Sequence, residues 1–192
     1  MLDTSSQSRR APLAEHRGDY YDTPSVAVHA LLKVERLPHV IWEPACGTGN
    51  IVKVLRAAGH QVIATDLNAR GCPESSAGND FLIWGSWFSC DAIVTNPPYS
   101  LAKEFVEVAL EHAPLVIMLL RLAFFESERR THILENRGLA RIHCFRKRLP
   151  MMHRAGWEGR KANSGMAFAW FVWDRLHCGP TMIDRISWEA AE

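Results

Sequence analysis

Three observations predict an α/β fold built on a mostly parallel sheet with helices on both faces. Short apolar runs of strand length alternate with segments of helical period, the pattern of successive βα units. The helical segments stop at residues that end helices, Gly59, Pro114 and Gly138. Finally, 47% of the 192 residues are hydrophobic, enough for a substantial core in one domain.

Residues 1–18 are polar and without period, and are expected to form a flexible leader ahead of a single domain over residues 19–192. Strands are expected at His39–Glu43, Gln61–Thr65, Asp91–Thr95, Leu115–Leu120, Ala140–Phe145 and Met166–Trp173. Between the first two, Asn50–Ala58 places Ile51, Val52 and Leu55 on one helical face. Leu101–His112 aligns Leu101, Phe105, Val108 and Ala109 in the same way, and Glu126–Arg137 reads as a more polar helix. Pro150–Asn163 has no period and reads as a long loop between two strands, a kind of segment that often carries function.

Composition narrows the classes. No apolar run approaches the roughly 20 residues of a membrane-spanning helix, and the N-terminus has no apolar segment of signal-peptide type, so a cytoplasmic protein is expected. The cysteines Cys46, Cys72, Cys90, Cys144 and Cys178 are odd in number, scattered and free of any Cys-x-x-Cys pair. They are expected to be reduced thiols, with no disulfide framework and no metal. The net charge of +1 is unevenly spread, with ten Lys/Arg against two Glu between Arg129 and Lys161. Such a run is either a solvated face or an anion-binding one.

Three constellations carry chemistry. His39–Asn50 runs from a strand through Gly47 and Gly49 into a helix, and those glycines permit a tight turn and close approach of a ligand. Asp66 ends the next strand about twenty residues on, where a carboxylate accepts hydrogen bonds from both ribose hydroxyls. In Asn79-Asp80-Phe81, Asp80 suits an adenine amino group and Phe81 its ring face, although Asn-Asp also serves as an ordinary turn. Asn96-Pro97-Pro98-Tyr99 follows the strand Asp91–Thr95 and so opens on the same sheet edge. Its prolines stiffen the loop, leaving an amide, a fixed carbonyl and an aromatic ring presented together. That set fits a planar amine: Asn96 Oδ1 and the Pro97 carbonyl accept its two hydrogens while Tyr99 stacks on the base.

With these residues the chain resembles the N6-adenine DNA methyltransferase family, of the class I methyltransferase fold, over roughly residues 20–175. Glu43-Pro44-Ala45-Cys46-Gly47-Thr48-Gly49 is similar to the family's cofactor loop. Asp66, followed by Leu67, falls at its ribose-binding acid, and Asp80-Phe81 at its adenine contact. Asn96-Pro97-Pro98-Tyr99 matches the catalytic tetrapeptide, with Asn96 also beside the cofactor. Asp19–Pro24 resembles the segment over the methionine end of the cofactor, through Tyr21 and Thr23. The resemblance implies a Rossmann-like, seven-stranded sheet with an antiparallel strand near the C-terminus. It also implies S-adenosylmethionine as cofactor and methylation of adenine N6 in DNA. Leu120–Phe125 and Ala169–Trp173 are similar to later strands of small phage and prophage members.

The departure from the family is the lack of a target-recognition domain, for which Phe81 to Asn96 is too short. Sequence reading is then limited, supplied by a loop, or supplied by a second chain of the same or another kind. The loop residues Arg154, Trp157, Arg160, Lys161 and Asn163 are candidates for DNA contact, with a solvated loop as the alternative. Three other functions remain open: methylation of adenine in RNA, methylation of a protein glutamine amide, and a non-enzymatic cofactor-binding or nucleic-acid-binding subunit.

Overall fold

The computed structural model describes residues 22–84, 88–151 and 165–189. Expectations for the leader 1–18, for Tyr21, and for Arg154, Trp157, Arg160, Lys161 and Asn163 lie outside them.

The elements follow in the order α1 (Ser25–Leu32), β1 (Val40–Glu43), α2 (Asn50–Ala57), β2 (Gln61–Asp66), β3 (Ser76–Ala77), α3 (Phe81–Trp84), β4 (Ala92–Thr95), α4 (Ala102–His112), β5 (Leu115–Arg121), α5 (Thr131–Leu134), β6 (Leu139–Phe145), β7 (Phe168–Asp174) and β8 (Met182–Ile186). One sheet holds the strands in the order β3-β2-β1-β4-β5-β7-β6-β8. β7 runs antiparallel to both its neighbours, β5 and β6, and the remaining pairings are parallel.

The sheet is buried on both sides, and the period of two along each strand sorts its residues between two cores. Ile41, Val94, Ile117, Leu119, Trp170 and Val172 face one core, which α1 and α2 close with Leu31, Val52 and Leu55. Trp42, Ile93, Met118, Leu120, Phe171 and Trp173 face the other, closed by Phe105 and Val106 of α4 and Ile133 of α5. The buried indoles still find acceptors: Trp170 donates to the Ala27 carbonyl at 2.9 Å and Trp173 to the Ile133 carbonyl at 2.8 Å.

The expected α/β architecture holds, with three corrections. The sheet has eight strands among the described residues where seven were expected. Beyond the six strands placed in the sequence, the structure adds the two-residue β3 and the edge strand β8, four of whose five residues are exposed and give no alternation. The helix expected over Glu126–Arg137 is broken into a 3₁₀ turn at Glu128–Arg130 and the short α5. There Arg130 lies over the Phe124 ring, 4.3 Å from its centroid, and donates back to the Phe124 carbonyl at 2.9 Å. Only Ile133 and Leu134 of that segment's helix are buried, too little apolar surface to hold a longer one. Third, α1 was not foreseen, because Ser25–Leu32 is apolar around almost its whole circumference and shows no stripe. No helix among the described residues is long and apolar enough to cross a membrane.

From β1 the chain winds one way, to β2 and β3, and from β4 it winds the other way, to β5. β1 and β4 pair directly, Ile41 with Ala92 and Trp42 with Ile93. Their carboxyl ends therefore border a switch point, where open α/β sheets leave a crevice.

Candidate active site

A cavity of about 420 Å³ occupies that crevice, within the range of small-molecule sites. One wall is the turn after β1. Gly47 and Gly49 have φ of 55° and 85°, in the left-handed region that glycine enters without cost. The turn is held by the end of β2: Cys46 donates its backbone N–H to the Thr65 carbonyl at 3.0 Å, and Gly47 donates to Asp66 Oδ2 at 2.9 Å. Asp66 Oδ1 accepts the Asn68 N–H at 2.8 Å, and Arg70 stands 3.8 Å from it. Four lone-pair sites on a carboxylate leave acceptor capacity beyond those two amide bonds.

Asn96, Pro97 and Pro98 form the opposite wall. Asn96 donates from Nδ2 to Thr23 Oγ1 at 3.0 Å, which directs the amide oxygen away from Thr23. Thr48 donates to Asp22 Oδ1 at 2.6 Å, so the segment before α1 is tied both to the glycine turn and to Asn96. Asp80 caps α3 by accepting the Leu82 N–H at 3.0 Å, and Phe81 packs edge-on against Trp42 at 5.1 Å.

Of the residues singled out in the sequence, Thr23, Pro44, Ala45, Cys46, Gly47, Asp66, Leu67, Asp80, Phe81, Asn96, Pro97 and Pro98 line this one cavity. Three others do not. Glu43 is buried below the turn, where its Oε1 accepts the Thr95 hydroxyl and, at 3.1 Å, the Ala45 N–H. Burial raises its pKa to about 8 against those hydrogen bonds, with a further push from Asp66. Gly49 caps α2, and a Cβ there would meet Cys72 Sγ at 2.7 Å, so close packing rather than ligand approach requires this glycine. Tyr99 packs against Phe168 with ring centroids 5.5 Å apart, and the Arg121 guanidinium covers one of its faces at 4.4 Å.

Sequence reasoning missed Asn68, Arg70 and Phe105 as lining residues, and Asn79 turns out to be a brace, donating to Ser76 and Ala77 from its amide. Asn68 and Arg70 sit two and four residues past Asp66, a nearness that gave the available signal. Phe105 is one apolar position of a helical stripe and gave none.

The charged lining comprises Asp22, Asp66, Asp80 and Arg70. Three carboxylates against one guanidinium disfavour a polyphosphate and favour a ligand that is itself cationic.

No protein-family model matches the chain, and no curated protein matches it in sequence. Solved structures do share its fold. A protein described as the modification subunit of a type I restriction enzyme from Vibrio vulnificus superposes with a TM-score of 0.59 at 17% identity, covering 88% of this chain and 48% of its own. One described as a class I S-adenosylmethionine-dependent methyltransferase from Listeria monocytogenes gives 0.55 at 13%, covering 83% and 62%. One described as an RNA methyltransferase from Pyrococcus horikoshii gives 0.54 at 16%, covering 80% and 85%. The chain thus spans about half the length of the first of these. Its fold is the Rossmann-like fold found in class I methyltransferases.

Proposed function

We propose that the chain is an S-adenosylmethionine-dependent methyltransferase that methylates the N6 amino group of adenine in DNA. The observation that carries this reading is the meeting of the glycine turn and Asn96-Pro97-Pro98 as opposite walls of one acidic crevice. The residues fit the cofactor: the cavity is of suitable size, Asp66 has acceptor capacity for a ribose, Asp80 for an adenine amine, and the carboxylates suit a sulfonium. When bound, that sulfonium supplies an electrophilic methyl group.

Asn96 Oδ1 and the Pro97 carbonyl then accept the two hydrogens of the acceptor amine. Two acceptors draw that nitrogen toward tetrahedral geometry and free a lone pair otherwise delocalised into the purine. The methyl–sulfur bond breaks as the methyl–nitrogen bond forms, and the methylated nitrogen, now cationic and acidic, loses one proton to solvent. The protein's contribution is therefore orientation and electrostatics, with no strong base required. Thr23 serves the same end by binding the amide nitrogen, so that Asn96 offers oxygen to the amine. DNA as the carrier is supported by the tetrapeptide's family resemblance.

Nucleoside mass spectrometry on DNA and RNA from cells expressing the protein, or its Asn96→Ala variant, tests the proposal. N6-methyladenine is expected in DNA with the native protein and at least about a hundredfold less with the variant, the scale of losing one transition-state hydrogen bond. Methylation confined to RNA would move the acceptor, and near-normal turnover of Asn96→Ala would remove the catalytic assignment.

A further inference from the structure

We infer that Arg121 is a phosphate-binding residue on the acceptor side of the site, taking an oxygen of the nucleotide that presents its amine to Asn96. The inference rests on the nucleic-acid reading above and assigns the group that holds the substrate's backbone.

Arg121 is the last residue of β5, beside β4. Thr95, the last residue of β4, pairs with Met118 in parallel register, and three residues further along β5 Arg121 reaches Tyr99 of the tetrapeptide. Its guanidinium carbon lies 4.4 Å from the Tyr99 ring centroid, and Phe168, its partner on β7, packs against the same ring. Arg121 is not part of the cavity lining, so it faces the tetrapeptide from outside the proposed cofactor crevice.

What distinguishes this arginine is an unmet donor: its Nε is buried and makes no hydrogen bond among the described residues. No carboxylate pairs with it among the described residues. Three other arginines are satisfied. Arg130 also lies over an aromatic ring yet donates to the Phe124 carbonyl, Arg141 binds Glu35, and Arg56 reaches two backbone carbonyls. A half-buried guanidinium with an orphan N–H calls for an anionic acceptor, because a neutral one satisfies the hydrogen bond and leaves the charge uncompensated.

Geometry narrows the anion. Contact with Tyr99 positions the guanidinium, and its two terminal Nη groups form a two-donor fork matched to two phosphate oxygens, while Nε stays buried behind them. A substrate whose base sits at Asn96 carries its phosphates a few ångströms from that base. Arg121 would then hold the nucleotide through its backbone while the tetrapeptide reads the amine, a division of labour common in nucleic-acid recognition.

The test measures binding of a fluorescent adenine-containing DNA oligonucleotide by anisotropy over a salt series, with the demethylated cofactor present. It uses the full chain, R121Q and R121K, and is accompanied by methyl-transfer kinetics and calorimetric cofactor affinity. R121Q is expected to bind DNA about tenfold more weakly and to raise KM for DNA. It should lower the slope of log K against log salt by about 0.9, the value of one lost phosphate contact, at unchanged cofactor affinity. R121K is expected to restore the salt slope and only part of the affinity, as a point charge without the fork. If R121Q does not fold, R121K alone decides, and native affinity in that variant overturns the proposal.

An active native enzyme whose R121Q variant shows native affinity and salt slope also overturns the proposal while leaving the function intact. A loss of affinity with no change in slope overturns the phosphate and assigns a neutral base atom instead. If the native protein neither binds nor methylates DNA or RNA, the function fails and this assignment with it.

Discussion

Replacing Glu43 by glutamine isolates the electrostatic cost of the seam between the two site-forming strands. Glu43 is fully buried at the end of β1, and its Oε2 has no hydrogen-bond partner among the described residues. Burial lifts its pKa from the ordinary 4.5 to about 8, helped by Asp66 and opposed by the hydrogen bonds from Thr95 and Ala45. Between those two values the unfolded chain has released its proton and the folded chain has not, so folding is linked to proton uptake. The stability contributed by the neutral acid is fully present below pH 4.5 and decays as pH rises toward 8, by up to about 1.4 kcal/mol per unit. Glutamine preserves the side-chain shape and an oxygen for the Thr95 hydroxyl and the Ala45 N–H, but does not ionise. Glu43→Gln should therefore gain on the native protein by about 3.5 kcal/mol between pH 5 and pH 8. Other titrating groups are common to both proteins and cancel in the difference. One of them is Glu35, where burial is outweighed by hydrogen bonds from His143 and Arg141 that hold its pKa below the ordinary value. Urea unfolding of both proteins at several pH values measures the gap, and parallel stability curves would show that Glu43 is ionised in the fold and refute the reasoning.

Two further substitutions probe the wall after β1 and the distant edge of the fold. Asp66→Ala leaves the amides of Gly47 and Asn68 without their acceptor and removes the proposed ribose acceptor; calorimetry should show S-adenosylmethionine binding weakened at least about tenfold, and unchanged affinity would refute the assignment. Gly138→Ala places a Cβ 2.5 Å from the Asp174 carbonyl oxygen at a φ of +72°, far from the cavity. It should cost about 2 kcal/mol or more and lower Tm by about 4–8 °C without altering cofactor affinity, as thermal denaturation would show.

What was legible in the sequence follows from which contacts are local. β1, β2 and β4 were placed to within a residue because Val40–Glu43, Gln61–Asp66 and Ala92–Thr95 are short apolar runs bounded by turn residues. β8 escaped because an edge strand with exposed Met182 and Ile183 has no buried face to impose alternation. At the site, the tetrapeptide and glycine turn could be read because their backbone demands are met by neighbouring residues. Tyr99 could not be placed, since the groups covering it, Arg121 and Phe168, come from other strands. Glu43 was grouped with the cofactor loop for a related reason: its burial depends on Thr95, fifty-two residues away.

That distant bond explains how two motifs without local contact become one site. Gly47 and Asn96 lie at the ends of strands that pair side by side, and the connections after them leave in opposite directions, so the crevice between them is a consequence of strand order. Strand order alone leaves the two walls free to shift along the β1–β4 seam, where only two residue pairs are in register. The Glu43–Thr95 hydrogen bond crosses that seam one residue before each wall begins, and the Asn96–Thr23 bond closes it from above. The acid that lowers stability near neutral pH is thus also the link holding the glycine turn in register with Asn96, the amide proposed to orient the acceptor. A variant stabilised at Glu43 but altered in turnover would separate those two roles of one side chain.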